Sequence, residues 1–181
     1  MSPTISAVDP ASTTTYTRLI SLLDASGCRY RLIDHVPEGR TDAASMLRGH
    51  PLEQAAKCLV VQVKMSRKAS RYALAIVPGD RRVDLDAIRT LLGGVRAGFA
   101  PRERAEQLTG CRSGSIIPIP FHPELELIVD PGLLGHEEVF FNAARLDRSV
   151  ALATRDYLEL VDARVEPIAT PVGEARPAQA E

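Results

Sequence analysis

The chain has 181 residues, 45% hydrophobic and 25% charged, the proportions of one ordinary globular domain. Its 22 Lys and Arg against 23 Asp and Glu give a net charge of −1, which excludes extensive wrapping of nucleic acid yet allows a local basic patch. No apolar run can span a bilayer, and Met1 to Thr15, rich in Ser, Thr and Pro, lacks the features of a signal peptide, so a cytoplasmic address is expected.

In chain order, Tyr16, Leu19, Ile20, Leu22 and Leu23 recur at helical spacing, and Gly27 suits the end of that helix. Tyr30 to Asp34 reads as a strand. Thr41 is placed to cap a short helix through Leu47, stopped by Gly49 and Pro51. A helical turn from Leu52 to Ala56 leads into the apolar strand Cys58 to Val63. The polar stretch from Lys64 to Arg71 reads as a hairpin connection to the strand Tyr72 to Val77, which Pro78-Gly79-Asp80 ends.

Asp84 starts a helix carrying Leu85, Ile88, Leu91 and Leu92, closed by Gly93 and Gly94. Val95 to Phe99 is a short strand, and Pro101 sits at the first turn of a helix ending near Gly110. After a Gly- and Pro-rich loop come strands at Leu125 to Val129, Val139 to Phe141 and Ser149 to Leu152. Thr154 then caps a helix through Val161. The expected fold class is α+β, a single domain with a central mixed, mainly antiparallel sheet flanked by helices. It spans residues 15–166, between a flexible N-terminus at 1–14 and a disordered tail at 167–181 rich in Pro, Ala and Glu.

Three features carry chemistry. Lys57 stands at the mouth of a buried strand, among small and apolar neighbours. It either snorkels to solvent or meets a fixed carbonyl or anionic partner. The loop Thr109 to Pro120 combines glycines, which free backbone N–H groups to approach a ligand, with stiffening prolines. Such N–H groups can stabilise the oxyanion formed when water attacks an ester, although an ordinary turn uses the same residues. Lys64, Arg67, Lys68 and Arg71, with Arg81 and Arg82, form a basic cluster that reads as a phosphate-binding patch or as a solvated hairpin.

The histidines have no metal-ligand spacing, and Cys28, Cys58 and Cys111 form neither a disulfide framework nor a zinc motif. No GxSxG, P-loop or dinucleotide fingerprint is present.

Taken together, these segments resemble the YbaK/prolyl-tRNA synthetase-associated (INS-like) editing-domain family. The matching pieces are His35 with Thr41, Gln54 to Val60, Val77 to Asp80 with Val83-Asp84, and Leu108-Thr109-Gly110. The GxxxP element Gly114 to Pro118, Val129-Asp130 with Leu133-Leu134, and Phe141-Asn142 complete the series. The resemblance covers residues 15 to 165 and implies a YbaK-like fold.

It also implies a freestanding enzyme that hydrolyses the ester joining an amino acid to the terminal adenosine of a mischarged tRNA. No metal or cofactor is implied, and the substrate's own ribose hydroxyl helps to place water. Lys57 matches the family's essential lysine, and Gly114 and Ser115 fall in the loop that positions the aminoacyl carbonyl. Ser115 departs from the glycine often found there. His35, Thr41, Ile116, Pro118, Asp130 and Asn142 are expected to line the substrate site. Lys64, Arg67, Lys68 and Arg71 are expected to contact tRNA phosphates.

The wording of PEGRT, AAKCLVV, VPGDRRVD and TGCRSGS favours Ser- and Thr-tRNA, with Ala- and Cys-tRNA as alternatives. The expected partner is the aminoacyl-tRNA acceptor end, with an aminoacyl-tRNA synthetase as a further candidate and no membrane. A non-catalytic tRNA- or synthetase-binding module and a small-ester hydrolase are the competing readings.

Overall fold

The computed structural model describes residues 14–173. Its framework is a hairpin of two nine-residue strands, β2 (Ala56–Lys64) and β3 (Ser70–Pro78), paired so that Lys57 faces Val77 and Lys64 faces Ser70. The β-branched residues Val60, Val61 and Val63 suit the pleated surface. β5 (Arg96–Phe99) adds antiparallel to β2. β6 (Leu125–Val129) runs parallel to β3, and β9 (Arg164–Val165) parallel to β6. The resulting sheet has the order β5-β2-β3-β6-β9.

A second sheet, order β1-β8-β7, is wholly antiparallel and is built from β1 (Tyr30–Asp34), β7 (Glu138–Asn142) and β8 (Arg148–Ala153). A single bridge between Ala55 and Phe140 ties it to the start of β2. β4 (Arg81–Val83) pairs with β10 (Ala169–Pro171). The helices are α1 (Thr15–Ala25), α2 (Thr41–Arg48), α3 (Leu85–Leu92), α4 (Arg102–Thr109) and α5 (Thr154–Leu160). The fold is α+β with antiparallel pairing predominant, although the sheet is divided into three parts. Among the described residues no helix is long and apolar enough to cross a membrane.

Strand alternation divides the apolar residues between two cores. Val60, Leu74, Ile76, Leu127 and Val129 face a core completed by α1, α4, α5 and the second sheet. Val61, Val63, Ala73, Ala75, Val77 and Ile128 face a smaller core roofed by Ile88 and Leu92 of α3. Burial on both faces explains why β2 and β3 read as continuous apolar runs rather than alternating ones.

Helix boundaries follow local chemistry. Asp84 accepts from the N–H groups of Asp86 and Ala87 at the start of α3, and Gly93 ends that helix in the left-handed conformation. Thr41 and Thr154 are not caps, as expected from sequence, but first helical residues; the cap positions belong to Arg40 and Ala153. The Thr154 hydroxyl is buried without a hydrogen-bond partner.

The expected disordered tail from Pro167 needs correction over residues 167–173. Ile168 is fully buried in the smaller core, and β10 pairs with β4. The remainder of that tail, and the N-terminal residues before Thr14, lie outside the described residues.

Asp130, expected at the substrate site, holds this segment instead. Only 7% exposed, it accepts from Gly132 N–H through Oδ1 at 2.8 Å, and from Ile168 and Ala169 N–H through Oδ2 at 2.9 Å each. Removing a buried carboxylate would leave these donors unpaired. Asp130→Ala is therefore expected to destabilise the fold by about 2–3 kcal/mol, lowering the melting temperature by roughly 4–12 °C. Amide exchange at Ile168 and Ala169 should accelerate in the variant. Unchanged melting and exchange would contradict the assignment.

Candidate active site

A cleft of about 220 Å3 opens between the start of α2, the first residues of β2, the Gly114 loop and the end of β7. From α2 and the turn before it come Gly39, Arg40, Thr41, Ala44 and Arg48; from β2 come Ala56 to Leu59. Gly114 and Ile116 form one rim, while Phe141 and Asn142 complete the wall. Thr41, Ala44, Ser45 and Arg48 recur at i, i+3, i+4 and i+7, so α2 turns one continuous face inward.

A wider groove of about 950 Å3 lies between β1, β7 and α5. Its arginines are already committed, Arg29 to Asp156, Arg31 to Glu138 and Arg155 to Glu159. In the smaller cleft Arg40 is likewise paired, with Asp42, but Arg48 and Lys57 have no carboxylate partner, and among the described residues no carboxylate lines the cleft.

Asn142 fixes the cleft's shape. Its Nδ2 donates to the carbonyls of Glu38 at 2.8 Å and Gly114 at 2.9 Å, joining two loops far apart in sequence. Its Oδ1 accepts from Ser149 Oγ at 3.0 Å and from Arg48 at 3.4 Å. With carbonyls on one side and donors on the other, the amide has one sensible orientation.

The two loops touch through glycines. Gly114 adopts φ 89°, and a Cβ there would lie 2.8 Å from the Gly39 Cα. The N–H groups of Gly114 and Ile116 meet no acceptor among the described residues, and both residues line the cleft. They are therefore available to an oxygen of a ligand.

The electrostatics reinforce that availability. Burial pushes the Arg48 guanidinium down to about 10. It donates to His50 Nε2 at 2.9 Å, Ser149 Oγ at 3.2 Å and Ser45 Oγ at 3.4 Å, besides Asn142. His50 stacks on Phe140 with ring centroids 3.8 Å apart. Burial, aided by the charges of Arg48 and Arg31, lowers its imidazole to about 4. His50 is thus a neutral acceptor for Arg48.

Lys57 borders the cleft and donates to the carbonyls of Gly79, at 3.4 Å, and Arg81. Of the two readings open from sequence, it takes the fixed carbonyl partner. Burial lowers its pKa below 10.5, opposed by the charge of Asp80.

The structure brings Lys57, Thr41, Gly114, Ile116 and Asn142 together around the cleft. Other expected site residues lie elsewhere. His35 stands behind the wall, its Nε2 2.7 Å from Ser149 Oγ and its Nδ1 2.8 Å from the Val36 carbonyl, because β1 pairs with β8 there. The Ser115 hydroxyl is buried and donates back to the Arg112 carbonyl at 2.9 Å. Pro118 is buried, its carbonyl accepting from Tyr157 Oη at 2.8 Å.

Lys64, Arg67 and Lys68 sit at the far end of the β2–β3 hairpin, about 23 Å along the strand from Lys57 at roughly 3.3 Å per residue. Arg71 is engaged by Glu126 at 2.6 Å and by the Leu92 carbonyl. Sequence reasoning missed Gly39, Arg40, Arg48 and Phe141. The helical period from Thr41 to Arg48 could have revealed Arg48; proximity of Gly39 to Gly114 had no signal in the sequence.

The model of the aminoacyl-tRNA editing domain matches residues 35–160. The chain belongs to this family. A relative from Escherichia coli K12, the multifunctional Ser/Thr-tRNA deacylase ProXp-y, is 42% identical over 81% of this chain and 87% of its own length. The prolyl-tRNA editing protein ProX of Acetoanaerobium sticklandii is 22% identical over 80% of this chain and 89% of its own. The solved structure of hypothetical protein APE2540 superposes with a TM-score of 0.76 at 23% identity, covering 84% of this chain and 99% of that one. This last likeness concerns the fold of the editing domain.

Two outcomes follow from the editing-domain cleft. Gly114→Ala is expected to cost about 1–3 kcal/mol in backbone strain and to part the two loops, seen as a lower melting temperature and shifted NMR signals for Gly39 and Asn142. Retention of wild-type stability and shifts would show that the contact is loose. For His50, the unfolded chain takes up a proton near pH 6.5, whereas the folded one resists to about 4. Stability should therefore fall as pH drops between those values. Urea melts of His50→Gln should show a flatter profile over that window; an equally steep profile would assign the acid sensitivity elsewhere.

Proposed function

We propose that this cleft hydrolyses the ester of mischarged tRNA, with seryl and threonyl groups as the favoured substrates. The observation that carries the reading is the pair of N–H groups, Gly114 and Ile116, left without acceptors in a cleft lined by cations. Those donors suit the oxygen of an ester carbonyl as water adds to it and negative charge develops. The N-terminal end of α2, beside Thr41, adds to the positive field. The 42% identity to a Ser/Thr-tRNA deacylase supports the same substrate class.

Water adds to the carbonyl carbon, the bond to the ribose oxygen breaks, and that oxygen leaves carrying a proton. Among the described residues no carboxylate or imidazole lines the cleft to act as a base. Orientation, oxyanion stabilisation and the vicinal ribose hydroxyl of the substrate supply the activation, which suffices for an already reactive ester. Lys57 is the proposed contact to the terminal nucleotide. Its four-carbon stem lets the ammonium exchange the Gly79 and Arg81 carbonyls for a substrate oxygen without losing its proton. Thr41 and Asn142 would line the amino acid's seat. Lys64, Arg67 and Lys68 would meet phosphates further down the acceptor stem. The chemistry is the same whether tRNA arrives free or from a synthetase.

The deciding assay measures release of amino acid from Ala-, Cys-, Ser- and Thr-tRNA by wild type and Lys57→Ala. Rapid loss of Ser and Thr is expected, slowed about 100-fold or more in the variant, the scale of a lost transition-state contact. No release from any of the four would replace hydrolysis with a tRNA-binding role. Full activity in Lys57→Ala would confine that lysine to the turn it holds.

A further inference from the structure

We infer that Arg48 reads the side-chain hydroxyl of the substrate amino acid, an assignment that rests on the cleft being the aminoacyl-ester site. A guanidinium carries five N–H donors. Arg48 directs them at four acceptors, His50 Nε2, Ser149 Oγ, Asn142 Oδ1 and Ser45 Oγ, two of them at 3.4 Å. At least one N–H is therefore left over. All four acceptors are neutral, and among the described residues no carboxylate lies within ion-pair distance of Arg48. A part-buried cation held only by neutral dipoles retains capacity for another oxygen. Its depressed pKa reflects the same lack of compensation.

Position narrows the identity of that oxygen. The Asn142 carboxamide stands between Arg48, which meets its Oδ1, and Gly114, whose carbonyl meets its Nδ2. The ester carbonyl belongs at the Gly114 and Ile116 N–H groups. Arg48 is displaced from it by a carboxamide and its two hydrogen bonds, of 3.4 and 2.9 Å, a span that an ester carbonyl at one end and a seryl or threonyl Oγ at the other can bridge.

Ala44, Ala56, Ile116 and Phe141 supply apolar cleft surface. A cleft lined by such groups alone would separate serine from alanine weakly. A fixed donor that goes unpaired without the hydroxyl separates them strongly.

The test compares seryl and alanyl esters on one tRNA body, so that nucleic-acid contacts cancel. Wild type, Arg48→Gln and Arg48→Lys are assayed for kcat/KM, with thermal melts to confirm folding. Arg48→Gln should lower the ratio of seryl to alanyl kcat/KM about 10- to 100-fold, over and above any slowing common to both esters through Asn142. Arg48→Lys retains charge but not the fork, and should shift the same ratio in the same direction; it decides the matter if the Gln variant does not fold. Equal slowing of both esters would overturn the assignment and make Arg48 a positioning residue for Asn142. A wild type inert toward both esters would overturn the ester-hydrolysis reading and this assignment together.

Discussion

Asn142 commits its whole hydrogen-bonding capacity to the cleft. Its two N–H groups hold the carbonyls of Glu38 and Gly114, and its oxygen is held by Ser149 and Arg48. Residues as far apart in the chain as Glu38, Gly114 and Ser149 are fixed through one planar group. Because the loops it joins contain Gly39 and Gly114 in backbone contact, the amide can close only where no side chain intervenes. This constraint turns a Gly- and Pro-rich loop, otherwise an ordinary connection, into a cleft rim on which the Gly114 and Ile116 N–H groups have no acceptor among the described residues. The inward face of α2, the bridge of Ala55 to Phe140 and the support of Ser149 by His35 all serve to keep that amide in place.

The charge distribution follows from the same arrangement. Arg48 enters the wall because Ser45, Ser149, His50 and Asn142 solvate it in place of water. A carboxylate there would neutralise the guanidinium and quench the field that the Gly114 loop shares. Surface arginines such as Arg29, Arg145 and Arg148 are paired with acids elsewhere, and 23 acids against 22 Lys and Arg bring the overall charge near zero while Arg48 and Lys57 stay without a carboxylate partner.

Much of this was legible in the sequence because local rules decided it. Asp84 and Gly93 mark the ends of α3, and the apolar runs before and after Lys64 to Arg71 identify a hairpin buried on both faces. Lys57 stands out by its neighbours, whereas Gly114 is picked from its loop by the resemblance to the editing-domain family. What was not legible depends on contacts between distant segments. The two-residue β9 and three-residue β10 are strands only because β6 and β4 supply partners, and Asp130 is structural only because Ile168 returns to it. Ser115 and Pro118 belong to the matching motif but turn their polar atoms inward, which order along the chain does not encode. The basic hairpin tip and Lys57 stand at opposite ends of β2. In an extended strand, seven residues are a long way.

The return of Ile168 to Ala169 onto Asp130 also orders events in time. A chain emerging from the ribosome presents α3 and the outer face of β2 and β3 well before residue 168 exists. Until then the smaller core lacks its last wall and Asp130 lacks two of its donors. The larger core, which carries the cleft, needs nothing beyond α5 and the residues just after it. A chain interrupted before Ile168 would therefore hold every residue of the larger core yet leave the apolar face of α3 without its last cover.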